Sequence, residues 1–539
     1  MKIFKYIALS VLAVGALSSC NDYLDTLPDD RAEIETADQV KDLLVSAYPN
    51  YNNNTIMEMM SDNVTDNGKT YASTVLKDEL YNFKDVDDTG NDSPYQSWNG
   101  YYRSIASANQ ALLSLKELGA EKDNMNLVAE AKLIRAYSMM QLANTFCMAW
   151  NPEKADEYMG LPYPTEPAKF IGGEYKRGTL RQLYENINKD IEEALPYIDD
   201  NTYTVPKYHF NRKAAYAFAA RFNLYYQNFD KCIEYANEVL GNDPTLVMRD
   251  FEPLTQFGAQ DIGTQWIKSS DKANLMLLAT YSSASYNLVY PVYPRFQHNS
   301  IVCSYETFWA KGPWGSGSGG TSLVPGKALL YYANMLYGKS ESVMFPKLMP
   351  QFEITDKINQ TGYLHAVDAI FTGDETLLCR AEAYALKENP RYDLAIADIN
   401  TWIQTHCRPE ASDGSKRPVL TEQSLKEFMD EMEYTPEKDI EQWSEYTIRK
   451  HLHPLGFTIE AGSTKENIVN LVLHMRRLET MYQGLRFVDL KRYGIAFSHV
   501  VKGDGIKEFN TEEVNYADPR GAIQLPADVI KAGLPANPR

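Results

Sequence analysis

The sequence lacks the short motifs that carry common catalytic chemistry. It has no G-x-S-x-G for a serine nucleophile, no H-E-x-x-H for zinc and no C-x-x-C for redox or metal work. Cysteine is scarce. Beyond Cys20 there are only Cys147, Cys232, Cys303, Cys379 and Cys407, an odd set at wide gaps that builds no disulfide framework. Cys147, Cys232 and Cys379 stand in apolar, helical contexts, where a free thiol behaves as a small buried hydrophobe. Positive charge is short as well: 53 Lys and Arg against 72 Asp and Glu leave −19. That balance argues against a nucleic-acid partner, whose phosphates need a basic patch, and against a basic membrane-binding face. No apolar stretch reaches the roughly 20 residues of a membrane span. No cofactor is expected. GSGSGG (315–320) formally fits G-x-G-x-x-G, but KGPW precedes it and TSLVP follows, so the flanking strand and helix of a dinucleotide site are missing.

What is present begins with a leader. Lys2 and Lys5 precede the uncharged run YIALSVLAVGAL (6–17), and Ser18 and Ser19 follow, the layout of a secretory signal peptide over 1–19. Cys20 is either a chance residue beside an ordinary cleavage site or the site itself. L-S-S-C resembles the lipobox of bacterial lipoproteins, whose cysteine is lipidated and becomes the first mature residue; Ser19 stands where Gly or Ala is commoner. We expect lipidation at Cys20, because several acyl chains on one residue give stable anchoring. Residues 20–36, with NDYLDTLPDD, are expected to form an acidic tether. Without Lys2 and Lys5 the mature chain carries −21 (51 basic against 72 acidic residues).

Hydrophobic residues at 44% support a real core, and their spacing is mostly helical. We expect helices at 37–49, 94–118, 124–149, 178–198, 211–241, 374–406, about 421–432 and 466–494. Ser93-Pro94 is a strong helix entry. The stretch 124–149 is apolar almost all round, as in a helix covered on two sides. AARFNLYYQNFDKCIEYANEVLGNDP (219–244) and CRAEAYALKENPRYDLAIADINTWI (379–403) resemble each other. Each reads as two antiparallel helices, the second opening on an aromatic-Asp pair (Phe229-Asp230, Tyr392-Asp393) with a small residue at +3 (Cys232, Ala395). That is the close-packing register of tetratricopeptide-like units. The expected fold is therefore mostly α, a tetratricopeptide-like helix-pair scaffold over 37–539 with a large, irregular, loop-rich insertion at about 245–372.

The insertion is where function is expected, since long irregular stretches in a compact protein usually carry it. It is dense in aromatics, in a chain with 37 Tyr against 20 Phe. A tyrosine or tryptophan offers a flat apolar face that can stack on the C–H side of a pyranose, while nearby polar groups take the hydroxyls. The candidate ligand residues are Tyr286, Tyr290, Tyr293, Trp309 and Trp314, with Asp66 and Asn67 from DNVTDN (62–67) as polar partners. Most of the other tyrosines are expected to pack between helices. DVDDTGNDS (85–93) partly fits a calcium loop through Asp85 and Asp87, but Gln96 stands where the closing Glu belongs; the expected reading is a solvated acidic loop. His451 and His453 lack a third ligand and the i, i+4 spacing of a zinc site.

Four stretches converge on one family. Cys20 is followed by NDYLD; Trp98, Tyr101, Tyr102 and Ile105 lead to Asn109; CRAEAYAL occupies 379–386; and RRLETMYQGLRFVDLKRYG occupies 476–494. Together with the tail QLPADVIKAGLPANPR, the chain resembles the SusD/RagB family of outer-membrane nutrient-binding lipoproteins. Gln483 stands where the family often has Glu, and Tyr493 where it often has Trp. The resemblance implies a surface-exposed lipoprotein that captures oligosaccharides, or in some members peptides, and caps a SusC-like TonB-dependent transporter as a lid. It implies a non-enzyme; a surface glycoside hydrolase is the less favoured alternative. Arg476, Arg477, Glu479, Arg486, Asp489 and Arg492 are expected to make structural ion pairs.

Overall fold

The chain starts its helices where side chains can satisfy the first free amides. Thr36 and Gln39 form a reciprocal cap on Ala37–Ser46. Ser93 caps Pro94–Glu117, with Pro94 in the first turn. Thr179 and Gln182 repeat the reciprocal cap at Leu180–Ala194. Each cap is worth about 1 kcal/mol. The computed structural model describes residues 34–168, 175–289, 294–316, 328–438, 443–511 and 516–539. The leader, Cys20, and the tether up to residue 33 lie outside the described residues.

The molecule is mostly α. Met125–Phe146 is buried on nearly every face because Pro94–Glu117 packs on one side and Leu180–Ala194 on another. Both expected helix pairs are present: Arg212–Tyr225 with Phe229–Leu240, and Gly373–Leu386 with Tyr392–His406. The pairs dock through Phe229–Leu240 against Gly373–Leu386. The Cys232 Sγ lies 3.6 Å from the Cys379 carbonyl oxygen, and Cys232, Ala236 and Ala395 are fully buried. Small side chains here let the backbones approach. All five cysteines among the described residues are free and buried. No helix among those residues is long and apolar enough to cross a membrane.

Residues 466–494, expected as one helical stretch, divide into Thr464–Glu479 and Leu485–Arg492. The cause is local. Tyr482 and Gly484 take left-handed backbone, with φ of 68° and 72°, and a Cβ on Gly484 would sit 2.6 Å from the Met57 side chain.

The insertion holds more regular structure than its composition suggests. Asn274–Tyr281, Thr361–Thr372 and Gln351–Asp356 form an antiparallel sheet with Thr361–Thr372 in the middle. Tyr281 and Gln351 both lie opposite His365. Short helices, Ala259–Trp266 and Ser300–Glu306, and a wide helical turn at Ser285–Val289 fill the space around it.

Buried charge locks the ends of the chain together. The Arg476 guanidinium donates to Glu375 at 3.0 Å and Asp489 at 3.1 Å, and Arg492 to Glu382 at 2.6 Å and Asp489 at 2.8 Å. Arg486 holds both oxygens of Asp62 at 2.8 and 2.7 Å. Glu479 receives Tyr332 Oη at 2.8 Å and lies 2.5 Å from His406 Nε2. These are the structural ion pairs expected from the helical spacing. Gln483, partly buried, donates to the Ala369 carbonyl, and Tyr493 Oη donates to Glu382 at 2.6 Å inside the core.

Candidate functional site

The structure separates the candidate ligand residues. Tyr290 and Tyr293 lie outside the described residues, as does Cys20. Tyr286 sits on the Ser285–Val289 turn and is 45% exposed. Trp314 is only 4% exposed and packs between His474 and Trp402, with ring centroids at 5.9 and 5.4 Å. Trp309 is buried as well. Asp66 is buried and occupied: Arg295 donates to both its oxygens at 3.1 Å, and the amides of Gly68 and Lys502 also donate to it. Asn67 donates to the carbonyls of Pro294 and Glu341 and accepts from Asn299 Nδ2 at 2.9 Å. Asp85 and Asp87 are exposed, and Asp85 takes the Arg539 guanidinium at 2.6 Å. Among the described residues, no group of three or more His, Cys, Asp or Glu is placed to hold a metal. His453 meets Glu437 at 2.6 Å, and His451 stacks on Tyr434.

A cleft of about 620 Å³ opens beside the buried tryptophans, a size typical of small-molecule sites. One wall is the end of the Ser300–Glu306 helix and the loop after it, which supply Ser304, Tyr305, Lys311 and Ser316. The other wall comes from 431–436 and 444–448, with Glu431, Glu433, Tyr434, Glu445 and Tyr446. Asn299 caps the Ser300–Glu306 helix by accepting from the amides of Ile301 and Val302, and Asn67 orients Asn299. Val302, Cys303 and Glu306 face inward, which turns Ser304 and Tyr305 outward. Tyr305 is 38% exposed. Asn67 and Trp314 thus support the wall from behind, and Tyr305 presents the ring.

Behind Ile448, which lines the cleft, lies a separate buried cluster of paired charges. Glu306 pairs with Lys450, whose Nζ also donates to Thr435 Oγ1 at 2.9 Å. Arg477 lies 3.5 Å from Glu306 and 3.2 Å from Asp62. Burial lowers the Lys450 pKa from the usual lysine value, against the opposing pull of Glu306. Burial, then the nearby Arg477 and Arg486 charges, push His474 down to about 3, so the ring beneath Trp314 is neutral. Burial and the Glu306 charge raise the Tyr446 phenol well above its ordinary range. Tyr434 donates to Glu466 at 2.6 Å and lies under the Arg449 guanidinium at 4.0 Å. Its orientation is therefore fixed before any ligand arrives.

A second cavity, about 320 Å³, lies between Trp98, Tyr102, Pro162, Pro164, Val529 and Leu534. Its polar atoms are already engaged, Tyr102 Oη on the Pro162 carbonyl and Asn109 Nδ2 on the Pro164 carbonyl. It offers little to a hydroxylated ligand, which would leave its own groups unpaired. The larger cleft combines an exposed ring with carboxylates and hydroxyls, the arrangement that suits a ligand with one apolar face and many hydroxyls.

Of the insertion's aromatic residues at 281–314, Tyr305 lines the cleft; Tyr286, Trp309 and Trp314 do not. Tyr305 belongs to that dense set, and the inward helical face Val302, Cys303, Glu306 is the signal that singles it out. Nothing local in 431–448 marks Tyr434 and Tyr446 as its partners.

Residues 22–224 match a SusD-like family model described as "Starch-binding associating with outer membrane". A SusD superfamily protein from Bacteroides thetaiotaomicron superposes with a TM-score of 0.59 at 16% identity, covering 94% of this chain and 100% of that one. A SusD-like carbohydrate-binding protein from Bacteroides vulgatus gives 0.56 at 14% identity over 93% and 97%. A structure described as a laminarin-binding SusD-like protein gives 0.55 at 14% identity over 93% and 98%. At these identities the structures share the fold. No curated protein sequence matches the chain.

Proposed function

Residues 22–224 match a SusD-like family model, and we propose that the chain belongs to the SusD/RagB family and is a cell-surface lipoprotein that binds oligosaccharides. In this reading it delivers them, as a lid, to a partner SusC-like TonB-dependent transporter in the outer membrane. Cys20 carries the lipid, and residues 20–36 are the strap between membrane and receptor. The observation that carries the binding assignment is the Tyr305–Tyr434–Tyr446 cleft. Tyr305 gives a pyranose a face to stack on, and the surrounding carboxylates and hydroxyls pair with its hydroxyl groups. Tyr286, Tyr290 and Tyr293 are proposed as further ligand residues. The protein works by binding alone, without a catalytic step.

A glycan and peptide array on protein beginning at residue 21 tests this. Oligosaccharide binding that is weakened about tenfold in Tyr305→Ala is the expected result. Peptide binding in its place would move the assignment to an oligopeptide receptor, which the acidic residues Glu431 and Glu433 would suit if the peptides were basic. Cleavage products after incubation with polysaccharide mixtures would overturn the binding-only assignment. Co-purification with a large β-barrel from outer membranes tests the lid role; a solitary protein there counts against it.

A further inference from the structure

The charge of the cleft narrows the class of ligand, and this inference rests on the cleft being the glycan site. Its described lining contains one cation, Lys311, and three carboxylates, Glu431, Glu433 and Glu445. Lys311 already lies 3.6 Å from Glu431. No arginine is among the described lining residues, and the planar fork of arginine is the usual means of gripping a carboxylate or sulfate. The cations of the adjacent buried cluster are not free to serve instead. Lys450 is held by Glu306, Arg486 by both oxygens of Asp62, and Arg477 by Asn63 and Asp62. Carboxylates accept hydrogen bonds and cannot donate them while ionised. They therefore match sugar hydroxyls and repel acidic substituents.

We propose that this cleft selects uncharged oligosaccharides and rejects glycans bearing uronic acids or sulfates, with Glu433 as the principal specificity-determining residue. Glu433 is exposed on the wall opposite Tyr305. A ligand charge about 6 Å from the Glu433 carboxylate in water-like surroundings loses about threefold in affinity. Added salt should narrow that gap, because the Debye length falls from about 10 Å at 0.1 M towards 3 Å at 1 M.

The test is calorimetric titration of the mature protein with an uncharged gluco-oligosaccharide series and the same series oxidised to uronides, at 20 and 500 mM NaCl. The expected result is uronide binding about threefold weaker at low salt, with the gap shrinking at high salt and in Glu433→Gln. A charge-neutral variant that leaves the gap unchanged, or uronides that bind as well as their neutral parents, overturns the proposal while the cleft assignment stands. Binding of the neutral series that is indifferent to Tyr305→Ala overturns both. A melting temperature for Glu433→Gln equal to that of the parent confirms that selectivity and not folding was changed.

Discussion

Removing the Asp62 carboxylate should destabilise the whole molecule. Burial alone would push the Asp62 pKa up, but Arg477 and Arg486 hold it well below the ordinary carboxylate range. Arg486 binds it with two charge-assisted hydrogen bonds at 2.8 and 2.7 Å, and Arg477 stands 3.2 Å away. In Asp62→Ala both guanidinium groups stay buried, and breaking a buried pair from one side costs about 3–5 kcal/mol. With about 2.1 cal/mol/K of unfolding entropy per residue, a chain of 539 residues converts that to about 3–5 °C in melting temperature. Scanning calorimetry at pH 7 measures it. The double variant Asp62→Leu/Arg486→Met, which replaces the pair with apolar groups, should recover at least half of the loss. The sign with pH follows from the depressed pKa: the stabilisation is complete above about pH 4, the unfolded value, and drains away as the medium becomes more acidic. A loss below 1 °C in Asp62→Ala, or no recovery in the double variant, would refute the claim that this pair holds the ends together.

Four further outcomes follow from the geometry. Tyr305→Ala should weaken oligosaccharide binding about tenfold, measured by titration, with the melting temperature unchanged because the ring is exposed. Trp314→Ala should instead cost about 3–5 kcal/mol of stability, since it empties a packed site between His474 and Trp402; a ligand-specific defect without unfolding would contradict its placement. Burial raises Asp368 to about 7, against the opposing Lys347 charge. This makes it a liability that grows as pH rises from about 4 to 7, so Asp368→Asn should gain up to about 4 kcal/mol at pH 8 and little at pH 4 in denaturant titrations. Cys20→Ala should shift the protein from the membrane pellet to the soluble fraction.

The helical scaffold was legible because its signals are local. Ser93-Pro94 and Thr179 announce their helices within four residues, and the aromatic-Asp openings at 229 and 392 mark both second helices. The sheet was not legible. Its first strand reads Leu-Met-Leu-Leu at 275–278, a run buried on both faces, which carries no alternation to separate it from helix. The cleft was half legible. Aromatic density led to a stretch that contributes Tyr305, but it could not say which rings face out, because that depends on distant partners. Trp314 is buried by Trp402 and His474, 88 and 160 positions on. Tyr305 faces a wall built by 431–436 and 444–448. The ion pairs were foreseen as a class from the 476–492 spacing, while their partners, Asp62, Glu375 and Glu382, were not.

The clasp between Asp62 and Arg486 has a bearing on synthesis. Its two halves are separated by 424 positions, so the N-terminal segment cannot finish its core until the last tenth of the chain exists. The helix pairs between them can form as they emerge, since their contacts are short-range, but loops this long close late. A growing chain thus carries an unfinished N-terminal core until completion, a state that remains pliable and easily unfolded. A chain stopped before residue 476 would keep its helices and never acquire its last fastening.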